Sequence, residues 1–178
     1  SLPEKRTGNE QEFSMPAACP SCGGGVEKDE DMAAYYCPNA ACPAQVRARL
    51  LHFVSRDTMD IDGFGPAVID QLLEKNLIQD AADLFALRKE DLAPLERLAE
   101  KSAENLVQAL AEAKGRGLAR LLHALGIPHL GATAAGYLAG HFDSLERLRA
   151  ATTEEIAAVE LPDTSAYRTL GPKPAKNL

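Results

Sequence analysis

Four cysteines within 24 residues constrain this chain more than any other feature: Cys19, Cys22, Cys37 and Cys42 follow the pattern C-x2-C, fourteen residues, C-x4-C, and the remainder of the sequence has none. Two close pairs separated by a loop let four thiolates converge tetrahedrally on one Zn2+ at about 2.3 Å. Cys19-Pro20-Ser21-Cys22-Gly23 has the form of a zinc knuckle, in which glycine after the second cysteine lets backbone amides turn toward sulfur, and Cys37-Pro38-Asn39-Ala40-Ala41-Cys42 supplies the other side. Four bound sulfurs leave no open position for water, so a structural metal and no catalytic residue are expected. The competing arrangements are buried or disulfide-linked cysteines, which a reducing compartment disfavours, and a thioredoxin-like redox pair, which lacks its βαβ context. Residues 19–45 carry little apolar content and are too few to fold on a core alone, so metal is expected to hold them together.

The chain has 178 residues and 46% hydrophobic content, enough for one compact domain or two small ones. Its formal charge of −7 argues against a uniformly basic surface that wraps nucleic acid by releasing many counterions, so any such binding must be local. No apolar run approaches the roughly 20 residues that span a bilayer, and Ser1-Leu2-Pro3-Glu4-Lys5-Arg6 has no apolar signal core behind its charges. No membrane partner and a soluble, cytoplasmic chain are expected.

Residues 1–18 are polar and irregular and read as a linker or the end of a preceding domain. After the cysteine unit the pattern turns helical: Val46, Leu50, Phe53 and Val54 form one apolar stripe and predict a helix from about Ala44 to Ser55. Further helices are expected at Pro66–Lys75, about Ala81–Ala86, Lys101–Lys114, Gly117–Leu125, Ala132–His141, Ser144–Ala150 and Thr153–Val159, with Asp80 and Thr153 as cap residues and no competing strand pattern. The fold class is therefore mostly α: a helical repeat domain over 46–160 preceded by a small four-cysteine finger.

The breaks between these helices repeat. Asp60-Ile61-Asp62-Gly63-Phe64-Gly65, Pro94-Leu95-Glu96-Arg97-Leu98-Ala99 and Gly126-Ile127-Pro128-His129-Leu130-Gly131 each precede a helix, and Gly65, Ala99 and Gly131 align at spacings of 34 and 32. Each unit is helix, tight hairpin, helix. Glycine beside an apolar residue just before a helix permits positive φ and close approach, while the helix start offers unpaired amides to an anion. In Gly63-Phe64-Gly65 the aromatic should plug into the helix pair, while the amides of Gly63 and Gly65 and the first turn Pro66-Ala67-Val68 face a DNA backbone. Such contacts position a duplex without reading its sequence. Basic residues Lys114, Arg116, Arg120, Arg147 and Arg149 give residues 113–149 a charge of +3, so one face is expected to be electropositive. The bland alternative for any single copy is an ordinary turn with glycine as a C-cap. His123, His129 and His141 read mainly as fillers, with His129 placed to touch phosphate.

Together these features resemble the carboxy-terminal half of the bacterial NAD-dependent DNA ligase family. Pro3-Glu4-Lys5-Arg6-Thr7-Gly8 resembles the exit from that family's OB-fold, and the cysteine unit with Cys42-Pro43-Ala44-Gln45 its zinc finger. His52-Phe53-Val54-Ser55-Arg56-Asp57-Thr58-Met59-Asp60-Ile61-Asp62-Gly63 resembles the first helix-hairpin-helix, and Lys101-Ser102-Ala103-Glu104-Asn105-Leu106 and Ala124-Leu125-Gly126-Ile127 the second and third. The resemblance implies a fragment that binds double-stranded, nicked DNA through Gly63, Phe64, Gly65, Arg97, Lys101, Gly126, His129 and Gly131. It further implies adenylation and OB-fold domains in the same full-length bacterial chain, which uses NAD and Mg2+ to seal nicks in replication and repair. No Lys-x-Asp-Gly nucleophile occurs here, so this stretch is not expected to ligate by itself. The alternative is a stand-alone zinc-finger and helical protein-interaction module. Hairpin two departs from the family pattern at Arg97 and Ala99, hairpin three at His129, and Leu161-Pro162-Asp163 stands where a fourth turn is due, so residues 161–178 are expected to form a flexible tail outside the core.

Overall fold

A computed structural model describes residues 13–28, 34–161 and 168–178. The chain divides into two compact units, Ser1–Gln45 and Val46–Leu178. In the first, strands β1 (Glu27–Lys28) and β2 (Tyr35–Tyr36) pair antiparallel, Glu27 opposite Tyr36 and Lys28 opposite Tyr35. The helical periodicity gave no hint of this ribbon. A two-residue strand is too short to show an alternation.

Helix α1 (Pro43–Val54) opens the helical part with proline in its first turn, where a missing N–H costs nothing. The second unit continues with α2 (Pro66–Glu74), α3 (Ala81–Leu84), α4 (Lys89–Leu92), α5 (Glu100–Ala113), α6 (Leu118–Ala124), α7 (Ala132–Phe142), α8 (Leu145–Ala150), α9 (Thr153–Ala157) and α10 (Pro172–Asn177). Helix α2 ends in a Schellman motif: Asn76, at φ 53, donates to the Leu73 carbonyl and Leu77 to Leu72. Asp80 caps α3, accepting from the amides of Ala82 and Asp83. At α9 the cap is Thr152 and not Thr153, because only Thr152 stands three residues before Glu155, the spacing at which the hydroxyl and the carboxylate each satisfy the other's backbone amide. Helix α4 was not anticipated: it is four residues long, too few to display a period, and its N-cap is Arg88, whereas the equally short α3 is announced by Asp80.

Two apolar clusters make the core. The first gathers Phe53, Ile69, Leu72, Leu84, Leu92 and Leu106 among others from α1 to α5, with Ala124 of α6. The second gathers Leu122, Leu130, Leu138, Phe142, Ile156 and Leu170. Helix α6 thus serves both.

The flexible tail expected over residues 161–178 is not what the described residues 161 and 168–178 form. Leu161 donates to the Arg168 carbonyl and Leu170 to the Val159 carbonyl, Glu160 and Thr169 form an antiparallel bridge, and α10 follows with Leu170, Pro174 and Ala175 buried. Pro172 and Pro174 do not break this helix because both lie in its first turn, where backbone N–H groups have no intrahelical acceptor. The fourth turn expected near residue 163 falls on 162–167, outside the described residues.

Candidate functional site

The four cysteine sulfurs lie within 4.8 Å of one another, with Cys19 and Cys42 Sγ 3.9 Å apart and Cys22 and Cys37 Sγ 3.6 Å apart. A tetrahedron of sulfurs about 2.3 Å from zinc has edges of about 3.8 Å, whereas a disulfide needs about 2.05 Å. The residues present therefore fit zinc and not a pair of disulfides. The backbone is shaped for this: the Cys19 amide donates to Gly24 O (2.7 Å) and the Gly23 amide to Cys19 O (2.8 Å), closing the knuckle. On the other side the Asn39 side chain accepts from the Ala41 amide and its carbonyl from Cys42, turning the second pair inward. The Ser21 hydroxyl accepts from the Ala44 amide and ties the first knuckle to the start of α1.

Backbone amides also tune the thiols. The Gln45 amide in the first turn of α1 draws the Cys42 thiol down to about 6, and amides of Cys22 and Ser21 lower Cys19. At Cys37 the Asn39 amide pulls down, but burial and hydrogen bonding with the thiols of Cys22 and Cys19 outweigh it and push the group up to about 12. Backbone amides thus favour the thiolate at Cys42 and Cys19, whereas Cys37 keeps its proton at neutral pH. A bound zinc closes its shell with four sulfurs and has a structural role.

The three hairpins share one backbone course. Gly63, Arg97 and His129 all have positive φ, at 85, 61 and 67, and two residues later Gly65, Ala99 and Gly131 are extended N-caps of α2, α5 and α7 with φ −75, −76 and −79. Between them Phe64 and Leu130 are buried and Leu98 is half-buried. The amides of Gly63, Gly65, His129 and Gly131 find no protein acceptor among the described residues, and these four positions are exposed.

The two glycines of the first hairpin differ. A Cβ on Gly63 would meet Leu106 Cδ2 at 2.5 Å, in a backbone region that L-residues avoid, so glycine there serves the fold. A Cβ on Gly65 or Gly131 would meet nothing within 4 Å, and neither residue needs positive φ. Gly126 has φ 64 and ends α6, its amide bound to His123 O and its α-carbon backed onto His52.

Hairpin two has the same course but another chemistry. Glu100 stands at the first position of α5, with Lys89 bonded to both Glu100 and Glu104 at 2.7 Å, and Lys89 holds the Glu100 carboxyl below its usual range. Arg97 and Lys101 are exposed beside this acid. On the other side Gln71 of α2 grips the turn, accepting from the Glu96 amide at 2.6 Å and donating to its carbonyl at 3.4 Å.

The expected electropositive face is partly tied up. Arg116 pairs with Asp60 at 3.1 Å, Arg147 with Asp143 at 2.8 Å, Arg120 donates to backbone carbonyls, and Lys114 sits over the Phe85 ring. Nothing in residue type distinguishes a cation aimed at solvent from one aimed at a carbonyl. Sequence reasoning also passed over Thr58, a fully buried polar residue whose hydroxyl lies within hydrogen-bond reach of the carbonyls of His52, Phe53 and Ser55 at the end of α1.

Three family models match the chain: the NAD-dependent DNA ligase C4 zinc finger domain at residues 18–44, the SAM-like helix-hairpin-helix tandem at 55–112 and a helix-hairpin-helix motif at 120–161. The DNA ligase of Pelotomaculum thermopropionicum is 53% identical over 177 residues, which is 99% of this chain and 25% of the relative. Those of Anoxybacillus flavithermus and Bacillus subtilis are 52% and 50% identical over 159 residues, 89% of this chain and 24% of each relative. The chain spans about a quarter of the length of these relatives. Among the described residues no helix is long and apolar enough to cross a membrane. A stand-alone interaction module is not favoured, since every one of these relatives is a DNA ligase. A ligase-specific zinc finger followed by two helix-hairpin-helix matches, within an alignment that runs through 99% of the sequence, means that the chain belongs to the NAD-dependent DNA ligase family, of which it carries the zinc-finger and helix-hairpin-helix part.

Proposed function

We propose that this chain holds nicked double-stranded DNA by its backbone phosphates, as the duplex-binding part of a ligase whose adenylation and OB-fold domains use NAD and Mg2+ to seal the nick. The observation that carries the proposal is the pair of open helix starts at Gly65 and Gly131. Each is preceded by a residue with positive φ and by amides without a protein acceptor, and each leaves empty the space a side chain would fill. A phosphate oxygen fits such a place because unpaired amides and the positive end of α2 or α7 face it together. Phe64 and Leu130 act as plugs that fix the turns, and Gly126 shapes the third hairpin by ending α6. His129 stands beside the α7 start as an exposed phosphate contact. At hairpin two, Glu100 repels phosphate from the helix start, so Arg97 and Lys101 are left as outlying side-chain contacts. Binding through amides explains how a chain of charge −7 engages a polyanion.

The test is duplex binding followed by fluorescence anisotropy as salt is raised. Affinity should fall with salt, and Gly65→Val should weaken binding about tenfold to the same extent on unrelated sequences, with nicked and intact duplexes compared. Because Gly65 has ordinary φ and open surroundings, this variant should fold. Parental affinity in folded Gly65→Val would remove hairpin one as a contact.

A further inference from the structure

The segment that enters hairpin one is gripped by the helix that enters hairpin three. Arg116, Arg120 and His123 fall at i, i+4 and i+7, so they share one side of α6 and the turn before it. Arg120 Nη1 donates to Thr58 O at 2.6 Å and Arg56 O at 3.3 Å. Arg116 Nη2 donates to Asp60 O at 3.2 Å, while its Nη1 pairs with the Asp60 carboxylate at 3.1 Å. His123 Nδ1 lies 3.3 Å from Asp57 O, and its own carbonyl is 3.0 Å from His52 Nε2. Four backbone carbonyls between residues 56 and 60 are thus engaged from one side, directly after α1, where the helix end is negative and favours cations. Asp60 has φ 50, a conformation a non-glycine residue keeps only when its surroundings hold it. From Asp60 the chain runs straight into Gly63-Phe64-Gly65, and from α6 it runs straight into Gly126 to Gly131.

We propose that Arg120, supported by Arg116, is a positioning residue for DNA: it fixes the first hairpin against the third so that both helix starts reach the phosphates of one duplex, without touching DNA itself. This inference rests on the DNA-binding function proposed above. Each helix start offers only a few amides, so neither binds strongly alone. Held rigidly at matching spacing, the second contact forms at high effective concentration once the first is made. Arg120 suits the task because the two hydrogens of its Nη1, held in the guanidinium plane, serve two carbonyls at once, and the residue is half-buried.

The experiment measures duplex affinity well below the unfolding temperature for the parent chain, Arg120→Gln, Arg120→Lys, Gly131→Val and the double variant Arg120→Gln/Gly131→Val. Arg120→Gln should weaken binding about tenfold, and the double variant should be much less impaired than the product of its two single effects, because hairpins no longer held together have already lost their joint binding. Arg120→Lys, with the charge but not the planar guanidinium, should recover only part. In the absence of DNA, amide exchange at Met59, Asp60 and Ile61 should accelerate in Arg120→Gln while that of α5 stays slow. Multiplicative effects with full recovery by lysine would make Arg120 a direct phosphate ligand and overturn the proposal. Parental affinity in Arg120→Gln, or unchanged exchange at residues 59–61, would overturn it too, leaving duplex binding intact. A parent chain that binds no duplex would remove the DNA-binding function and this inference together.

Discussion

Gly63 and Gly65 stand two residues apart and answer to different demands. At Gly63 the fold is the constraint: φ is 85 and a methyl group would press on Leu106 Cδ2 at 2.5 Å. Gly63→Ala should therefore lower stability by about 1–3 kcal/mol, the combined effect of a left-handed backbone and an overpacked core contact. Gly65→Ala should leave stability within about 0.5 kcal/mol, since its φ is −75 and nothing lies within 4 Å of the added carbon. Urea unfolding of the two variants checks this, and equal destabilisation would show that the two glycines have been assigned to the wrong demands. The sequence pattern marked both glycines but could not divide them, because Gly-Phe-Gly carries no sign of which position meets Leu106, 43 residues beyond Gly63. Arg97 and His129 were legible only as departures from glycine, yet both take up the same left-handed backbone as Gly63. The turn persists without its favoured residue because the buried Leu130 and half-buried Leu98 still plug the helix pair.

At the scale of elements, the finger and the hairpins were readable to different depths. Cysteine spacing alone located four sulfurs that come within 4.8 Å, because a metal site imposes its geometry on nearby sequence. The ribbon of β1 and β2 was not readable, since two residues per strand are too few to show an alternation. The finger's chemistry can be tested through its protons. With Cys37 pushed up to about 12, its thiol keeps a proton at neutral pH that zinc must displace, whereas Cys42, drawn down to about 6, is already mostly thiolate. Titration of zinc into the metal-free chain at pH 7, in buffers of different ionisation enthalpy, should show at least one proton released per metal, with one zinc bound per chain. Because zinc holds the deprotonated form, affinity should fall as pH is lowered, most steeply below about 6 where Cys42 also protonates. Cys37→Ala should lose zinc while most helical circular dichroism remains. Undiminished zinc in that variant would refute the four-sulfur shell.

Across the helical unit, two apolar clusters meet at α6, which gives Ala124 to the first and Leu122 to the second. The chain end belongs to the second cluster. Leu170 and Ala175 are buried in it, the Gly171 amide donates to Ala157 O, and the Asn177 side chain donates to Pro128 O in hairpin three. The signal for this was present: Leu170-Gly171-Pro172 repeats the apolar-glycine-proline start of Phe64-Gly65-Pro66, at a distance the repeat spacing did not allow for. Ending the chain at Leu161 should therefore destabilise the second cluster. Burial of one leucine contributes about 1.5–3 kcal/mol, and the lost α10 contacts add to it, for a total of about 3 kcal/mol. For a unit of this size, at about 3 °C per kcal/mol, the melting temperature should drop by about 10 °C. The loss should be uneven, with amide exchange rising in α7 and α9 around Leu138 and Ile156, while α2 and its Ile69 and Leu72, wholly in the first cluster, stay protected. Duplex binding should then weaken through hairpin three, whose Leu130 shares a cluster with Leu170, while Gly65→Val costs the shortened chain its remaining affinity. A shortened chain that melts within about 2 °C of the parent would mean that α10 rests on the second cluster without supporting it.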